Sequence, residues 1–336
     1  MTSNITVKRR VFRAVILIIT PIIISFLALA IGRIEIPVGD VFNILIGRTE
    51  GIANVSVMTV KIFRLPRIIL ALLVGAGLSV AGCAFQGLFA NPLATPDTLG
   101  VASGASFGAA LAILLGAGPV TIQVCSFLMG IAAVVLTVLC GRTGGRNMTM
   151  IILSGIMIGS LFSALISFVK FVADSESQLP AITYWLMGSL ASTDSKSLLI
   201  GAPPILIGII ILFIIRWRMN LLPLTEDEIK SSGTNVLLLR GITVLSATMI
   251  TASAVSMCGQ VGWVGLLVPH MVRMRVGANF KDVVACSISV GAVFLVIVDT
   301  VARSLTAAEI PISILTAIIG APFFIYLMRR RGGFVG

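Results

Sequence analysis

RLPRIILALLVGAGLSVAGCAFQGLFANPLATPDTLGVASGASFG, residues 64–108, decides the class of fold. A short basic motif, Arg64-Leu65-Pro66-Arg67, opens an uncharged run that continues to Pro96. Its 29 uncharged residues exceed the roughly 20 that one bilayer crossing takes. The polar hinge Asn91-Pro92-Leu93-Ala94-Thr95-Pro96 must therefore end one helix and begin another, because proline cannot continue a helix interior. Beyond the hinge the chain restarts in small residues.

Composition leads to the same class. Hydrophobic residues make up 57% of the 336 and charged residues 11%, where soluble domains carry about 25% charge. A globular core of this length cannot bury that much apolar surface, so the chain reads as all-α and polytopic in lipid. The five cysteines, Cys83, Cys125, Cys140, Cys258 and Cys286, lie in or beside apolar runs and are odd in number. They read as small packing residues, with no disulfide or metal framework expected. The first apolar run, Ala14 to Gly32, is too long for a signal-peptide core and reads as a retained span. A net charge of +11 invites a nucleic-acid reading, but the basic residues fall in short segments between spans, the positive-inside pattern.

Uncharged stretches give spans near 14–32, 68–88, 98–116, 120–141, 148–169, 197–215, 237–257, 260–271, 283–302 and 310–328. The eighth is short and carries Gly262, Gly265 and Pro269. Parity argues for it: Lys8-Arg9-Arg10 and Arg329-Arg330-Arg331 put both termini on the cytoplasmic side, which requires an even number of spans. With ten, sixteen of the 24 Lys and Arg residues lie inside and eight outside. Small residues recur at helical spacing in Ala71, Gly75, Ser79, Cys83, in Gly100, Gly104, Gly108, Ala112, Gly116, and in Gly155, Gly159, Ser163, Ser167. Such faces let helices approach closely in lipid; for the first two, packing within the chain is the expectation.

A second block follows the first in order: GQVGWVGLLVPHMVR at 259–273, then Asp299, Arg303, Glu309-Ile310-Pro311 and Gly320-Ala321-Pro322. Together the two blocks resemble the FecCD-type permeases of ABC importers, which carry ferric siderophores, haem and cobalamin. The resemblance covers nearly the whole chain. It implies the type II importer permease fold with about ten spans, as one domain over 1–336. It also implies a multi-pass protein of the bacterial or archaeal cytoplasmic (inner) membrane. The implied partners are a second permease subunit, identical or paralogous, a pair of ATP-binding subunits, an extracytoplasmic binding protein and a metal-chelate substrate; no nucleic acid is implied.

Three sets of residues could carry a mechanism. The inner segment 219–236, MNLLPLTEDEIKSSGTNV, has a capping box in Thr225 and Glu228, further acids at Glu226 and Asp227, and a stop at Gly233. A solvated surface helix would look the same; the resemblance implies a coupling helix seated on the ATPase, starting at Leu224-Thr225. At the outer side, Arg64 and Arg67 flank Pro66 at the mouth of span two, and Arg303 lies one turn beyond Asp299. Anchoring by snorkelling or pairing with Asp299 would suit these arginines; the resemblance implies that they dock acidic residues of the binding protein. For Gly155, Gly159, Ser163 and Ser167 it implies a place along the pathway at a dimer axis, and for residues 181–190 a short outer helix.

Other features read structurally. His270 is the only histidine and reads as packed or bonded to backbone, since a lone His makes a poor metal site. Glu309-Ile310-Pro311 reads as a helix start. The chain holds no Gly-Lys-Ser or Gly-Lys-Thr, and the Gly-rich run 141–146 is a basic inner loop, so it cannot hydrolyse ATP through a P-loop. No catalytic residue, cofactor or resident metal is expected. A bare transition-metal cargo would call for His, Cys or carboxylates along the path, whereas Gly, Ser, Ala and Met faces suit a coordinated chelate. A ferric siderophore ranks first by analogy, with haem and cobalamin behind it. A secondary transporter would need midplane acids or broken helices, and only Asp299 and Glu309 come near. An intramembrane enzyme would need a nucleophile with a base, which the spans do not offer.

Overall fold

A computed structural model describes residues 2–142, 148–191, 194–306 and 308–331, and among them no strand occurs. Residues 143–147 of the Gly-rich inner loop lie outside that set. The principal elements are α1 (Thr2–Ala30), α2 (Val38–Leu45), α3 (Asn54–Met58), α4 (Leu65–Leu88), α5 (Val101–Leu114), α6 (Pro119–Arg142) and α7 (Met148–Val172). They are followed by α8 (Gln178–Leu186), α9 (Ser195–Ile215), α10 (Glu226–Ser231), α11 (Val236–Cys258), α12 (Val264–Val276), α13 (Phe280–Ser304) and α14 (Ile312–Arg331). Among the described residues six helices are long and apolar enough to cross a membrane: the composite Asn54–Leu88, α6, α7, α9, α11 and α13. Shorter apolar helices lie within α1, α5 and α14. The expectation of ten spans adds those three and α12, whose 13 residues extend about 20 Å, less than a hydrocarbon core.

Helix α4 is the axis of the bundle. Of its most apolar window 83% is buried, against 17% for α7, so α4 runs through the interior while α7 presents most of its surface outward. Small residues make this possible. Gly75 meets Gly291 of α13 so closely that a Cβ on either would overlap the other's carbonyl oxygen, and a Cβ on Gly82 would overlap the carbonyl oxygen of Gly265 in α12. Cys83 Sγ lies 3.3 Å from Ser287 Oγ. The ladder Ala71-Gly75-Ser79-Cys83 is thus a seam inside the chain, as expected. Gly104 and Gly108 likewise face the backbone of α6 at Met129 and Cys125.

Helix starts follow the polar punctuation of the sequence. Asp194, Asn235 and Asn279 cap α9, α11 and α13 through Ser197 N (2.7 Å), Leu238 N (3.1 Å) and Lys281 N (3.0 Å). At the hinge, Thr95 and Thr98 box a short 3₁₀ turn, Pro96–Leu99, Gly100 takes φ +75°, and Asp97 accepts from Ala102 N and Ser103 N at the start of α5.

Spans two and eight differ from expectation for reasons their local sequence supplies. Span two does not begin at the Arg-Leu-Pro-Arg motif. The helix runs back through a π segment, Thr59–Arg64, to Asn54. Pro66 has no N–H to give Ile62 and its ring crowds that carbonyl, so the preceding turn widens: Leu65 N bonds Val60 O, five residues back. Arg64 and Arg67 therefore sit inside a helix. Span eight begins four residues after the expected 260 and runs five beyond 271, with Pro269 tolerated in its second turn, because Gly262 (φ +80°) holds the chain in a tight turn beforehand.

Candidate functional site

One end of the bundle is organised by the C-terminus of α1. A helix leaves its last four carbonyls without partners inside itself, and in lipid each must find a donor. Leu27 O accepts from Ile31 N (3.2 Å) and Ala30 O from Ile36 N (3.3 Å). The rest come from distant arginines. Arg64 Nη1 donates to Leu29 O (2.6 Å) and Ala30 O (3.2 Å), and its Nη2 to Ile34 O (2.6 Å). Arg303 Nη2 donates to Ala28 O. Two cations thus sit where the helix dipole is negative. Gly32 lets the chain pass over them, since a Cβ there would overlap Arg64 Nη2 and stand 2.8 Å from Arg303 Nη1.

Arg67 lies beside this cap. Its Nε is 2.9 and 3.1 Å from the two Asp299 carboxylate oxygens and its Nη2 is 2.8 Å from Oδ1. Its Nη1 reaches Glu309 Oε1 at 2.8 Å. Asp299 is 1% exposed. The i,i+4 pairing of Arg303 with Asp299 is present at 3.8 Å, but the shorter contacts to Asp299 come from Arg67, 232 positions away. An acid inside a span signals a cationic partner; nothing local in the sequence says which one. Glu309 pairs with Arg67 from the loop ahead of α14.

The three arginines named in the sequence, Arg64, Arg67 and Arg303, are therefore brought together at 5, 8 and 7% exposure with internal partners. Sequence reasoning passed over Arg33, which is exposed and donates to Thr306 O at 2.8 Å. All four line one crevice of about 260 Å³ at this end of the bundle, with Glu309 on its wall.

At the opposite end, α10 has the expected capping box. Thr225 N and Oγ1 both donate to Glu228 Oε2, at 2.9 and 2.8 Å. These donors hold the Glu228 carboxyl below the usual carboxylate range, the backbone N–H contributing most. The box is accordingly intact at neutral pH and is lost only as pH falls through that lowered value. Gly233 ends the segment at φ +73°. Two contacts not foreseen from sequence fix α10 to the bundle: Ile229 is fully buried, and Glu226 accepts from Arg240 Nη1 of α11 at 2.8 Å. Leu224 and Asp227 remain exposed, although Asp227 lies 3.7 Å from Lys230.

Residues 17–330 match the FecCD transport family. The chain belongs to that family. It is 41% identical to the molybdate import system permease protein MolB of Haemophilus influenzae, over 93% of this chain and 94% of that one. It is 39% identical to a probable iron chelatin transport system permease protein of Helicobacter pylori, over 84% and 86%. Among solved structures it superposes on a transporter described as of metal-chelate ABC type, in an inward-facing conformation, with a TM-score of 0.85 and 39% identity over 96% and 99% of the two chains.

In this FecCD permease the third set of residues divides. Gly155 packs so tightly on Thr98 O that a Cβ would overlap it, and a Cβ on Gly159 would touch Gly100 Cα at 3.8 Å. Ser163 and Ser167 are exposed on the outward face of α7, with Ser167 Oγ bonded to Ser163 O (3.0 Å). His270 lies against Phe323 and Phe324, ring centres 6.4 and 5.5 Å away. Among the described residues no three His, Cys, Asp or Glu side chains group where they could hold a metal ion.

Proposed function

We propose that this permease moves a metal chelate, a ferric siderophore or related iron chelate first, inward across the cytoplasmic membrane. In this reading the chain is a single permease domain of ten spans with both termini inside. It pairs with a second permease through the exposed face of α7, where Ser163 and Ser167 line the path. A binding protein delivers cargo at the outer crevice, where Arg33 is the accessible charge and Arg64, Arg67 and Arg303 supply the field behind it. Separate ATP-binding subunits seat α10 with Leu224, Thr225, Glu226, Asp227, Glu228 and Gly233. The anchoring of α10 by Ile229 and Arg240 supports this role, since a segment fixed to α11 passes displacement into a span rather than absorbing it.

The observation that carries the chelate reading is the lack of grouped metal ligands among the described residues. A bare transition-metal ion sheds water only where replacement ligands wait, whereas a chelate arrives fully coordinated. A second reading has its own support: molybdate is an oxyanion needing hydrogen-bond donors rather than ligands, and a 41% identical relative is named for it. The test is uptake of labelled cargo by cells carrying the full transporter. Iron as siderophore complexes should accumulate, while free iron salt should not. Molybdate, haem or cobalamin moving in its place would replace the cargo, and free iron alone moving would overturn the chelate reading.

A further inference from the structure

The outer crevice brings four guanidiniums, Arg33, Arg64, Arg67 and Arg303, against two carboxylates, Asp299 and Glu309. Arg64 and Arg303 are committed to the carbonyls that end α1. Arg67 is divided between the two acids, and these are unlike. Asp299 is 1% exposed and engaged by both Nε and Nη2. The Glu309 side chain is 29% exposed, sits on the loop ahead of α14, and bonds Arg67 through Oε1, while its Oε2 is buried without a hydrogen bond. Arg303 Nε is also buried without a hydrogen bond, 3.8 Å from Asp299 Oδ2.

We infer that Glu309 is an internal occupant of the docking position: its carboxylate holds Arg67 Nη1 until an acidic side chain of the binding protein takes its place. The inference rests on the docking reading above. Exchanging one carboxylate for another keeps Arg67 paired throughout, so a buried cation is never stranded. Glu309 moves only from a half-wet loop position into water. Asp299 cannot be exchanged in this way, because it has no route to solvent. Occupancy by Glu309 lowers the apparent affinity by the fraction of time the position is free, which suits a partner that must leave after each delivery.

The experiment titrates the binding protein that co-purifies with the transporter onto the whole complex, permease with ATP-binding subunits, in lipid nanodiscs. E309Q keeps the shape and removes the charge. It should bind about tenfold tighter if Glu309 holds the position roughly nine-tenths of the time. The gain should persist at about 1 M salt, where charges are screened beyond about 3 Å. E35Q, removing an exposed acid of the outer loop, should gain at low salt only. E309A should behave as E309Q, and melting temperatures near the parent's confirm that both are folded. R33E tests the docking reading by itself and should weaken binding. If R33E binds as the parent does, docking at the crevice fails and the inference with it. If R33E weakens binding while E309Q and E309A bind no tighter than the parent at high salt, the inference alone is overturned.

Discussion

Arg67→Met is expected to cost about 3–5 kcal/mol and to empty the membrane of most folded permease. The substitution strands Asp299, 1% exposed, with only Arg303 at 3.8 Å, and an uncompensated buried carboxylate is the larger part of that cost. The opposite change is milder. Asp299→Asn leaves Arg67 with Glu309 at 2.8 Å and a neutral amide in place of the acid. The double variant R67M/D299L removes both charges and should recover much of what R67M loses, since replacing a buried pair by apolar groups of similar size is often near neutral. Thermal melting of the detergent-solubilised permease, read by size-exclusion chromatography, ranks the three. A parent-like R67M, or a double variant no better than R67M, would show that the pair does not hold α4 to α13.

Gly82→Ala should damage the permease through packing alone. One methyl there overlaps the Gly265 carbonyl oxygen, and the obstacle is backbone, so relief requires α4 and α12 to separate. The cost is expected at or beyond the upper end of the roughly 1–3 kcal/mol that an added methyl brings in a packed core. Gly241→Ala is the control: its added Cβ meets nothing within 4 Å, in helix α11. Losing a helical glycine there should stabilise by about 0.5–1 kcal/mol. Equal melting of the two variants would mean that the α4–α12 seam is looser than its geometry indicates.

The long apolar helices, the hinge and the capped inner segment were legible because each has a local cause: an apolar run, a proline pair, a Thr-x-x-Glu box. What the sequence hid is long-range. Arg64 and Arg303 serve the end of α1, and Arg67 finds Asp299 across 232 positions. An arginine near an apolar run looks the same whether it faces a partner or caps a distant helix. The backward extension of span two was hidden for a related reason. Lys61, Arg64 and Arg67 break the uncharged run, yet Arg64 and Arg67 lie buried within the continuous helix because carbonyls and carboxylates meet them. Arg33 was passed over because its position in the crevice comes from a turn after α1 that has no motif.

Reconstitution tests most directly whether transport is powered by ATP on a separate subunit. Proteoliposomes would contain the permease and its ATP-binding subunits, with ATP inside and the binding protein loaded with labelled iron chelate outside. The chelate should accumulate only when the binding protein, the ATP-binding subunits and ATP are all present. The pair T225A/E228A, which removes the box that starts α10, should assemble and dock but lose most uptake. Accumulation driven by a proton gradient with no ATP, and unchanged in T225A/E228A, would contradict the account.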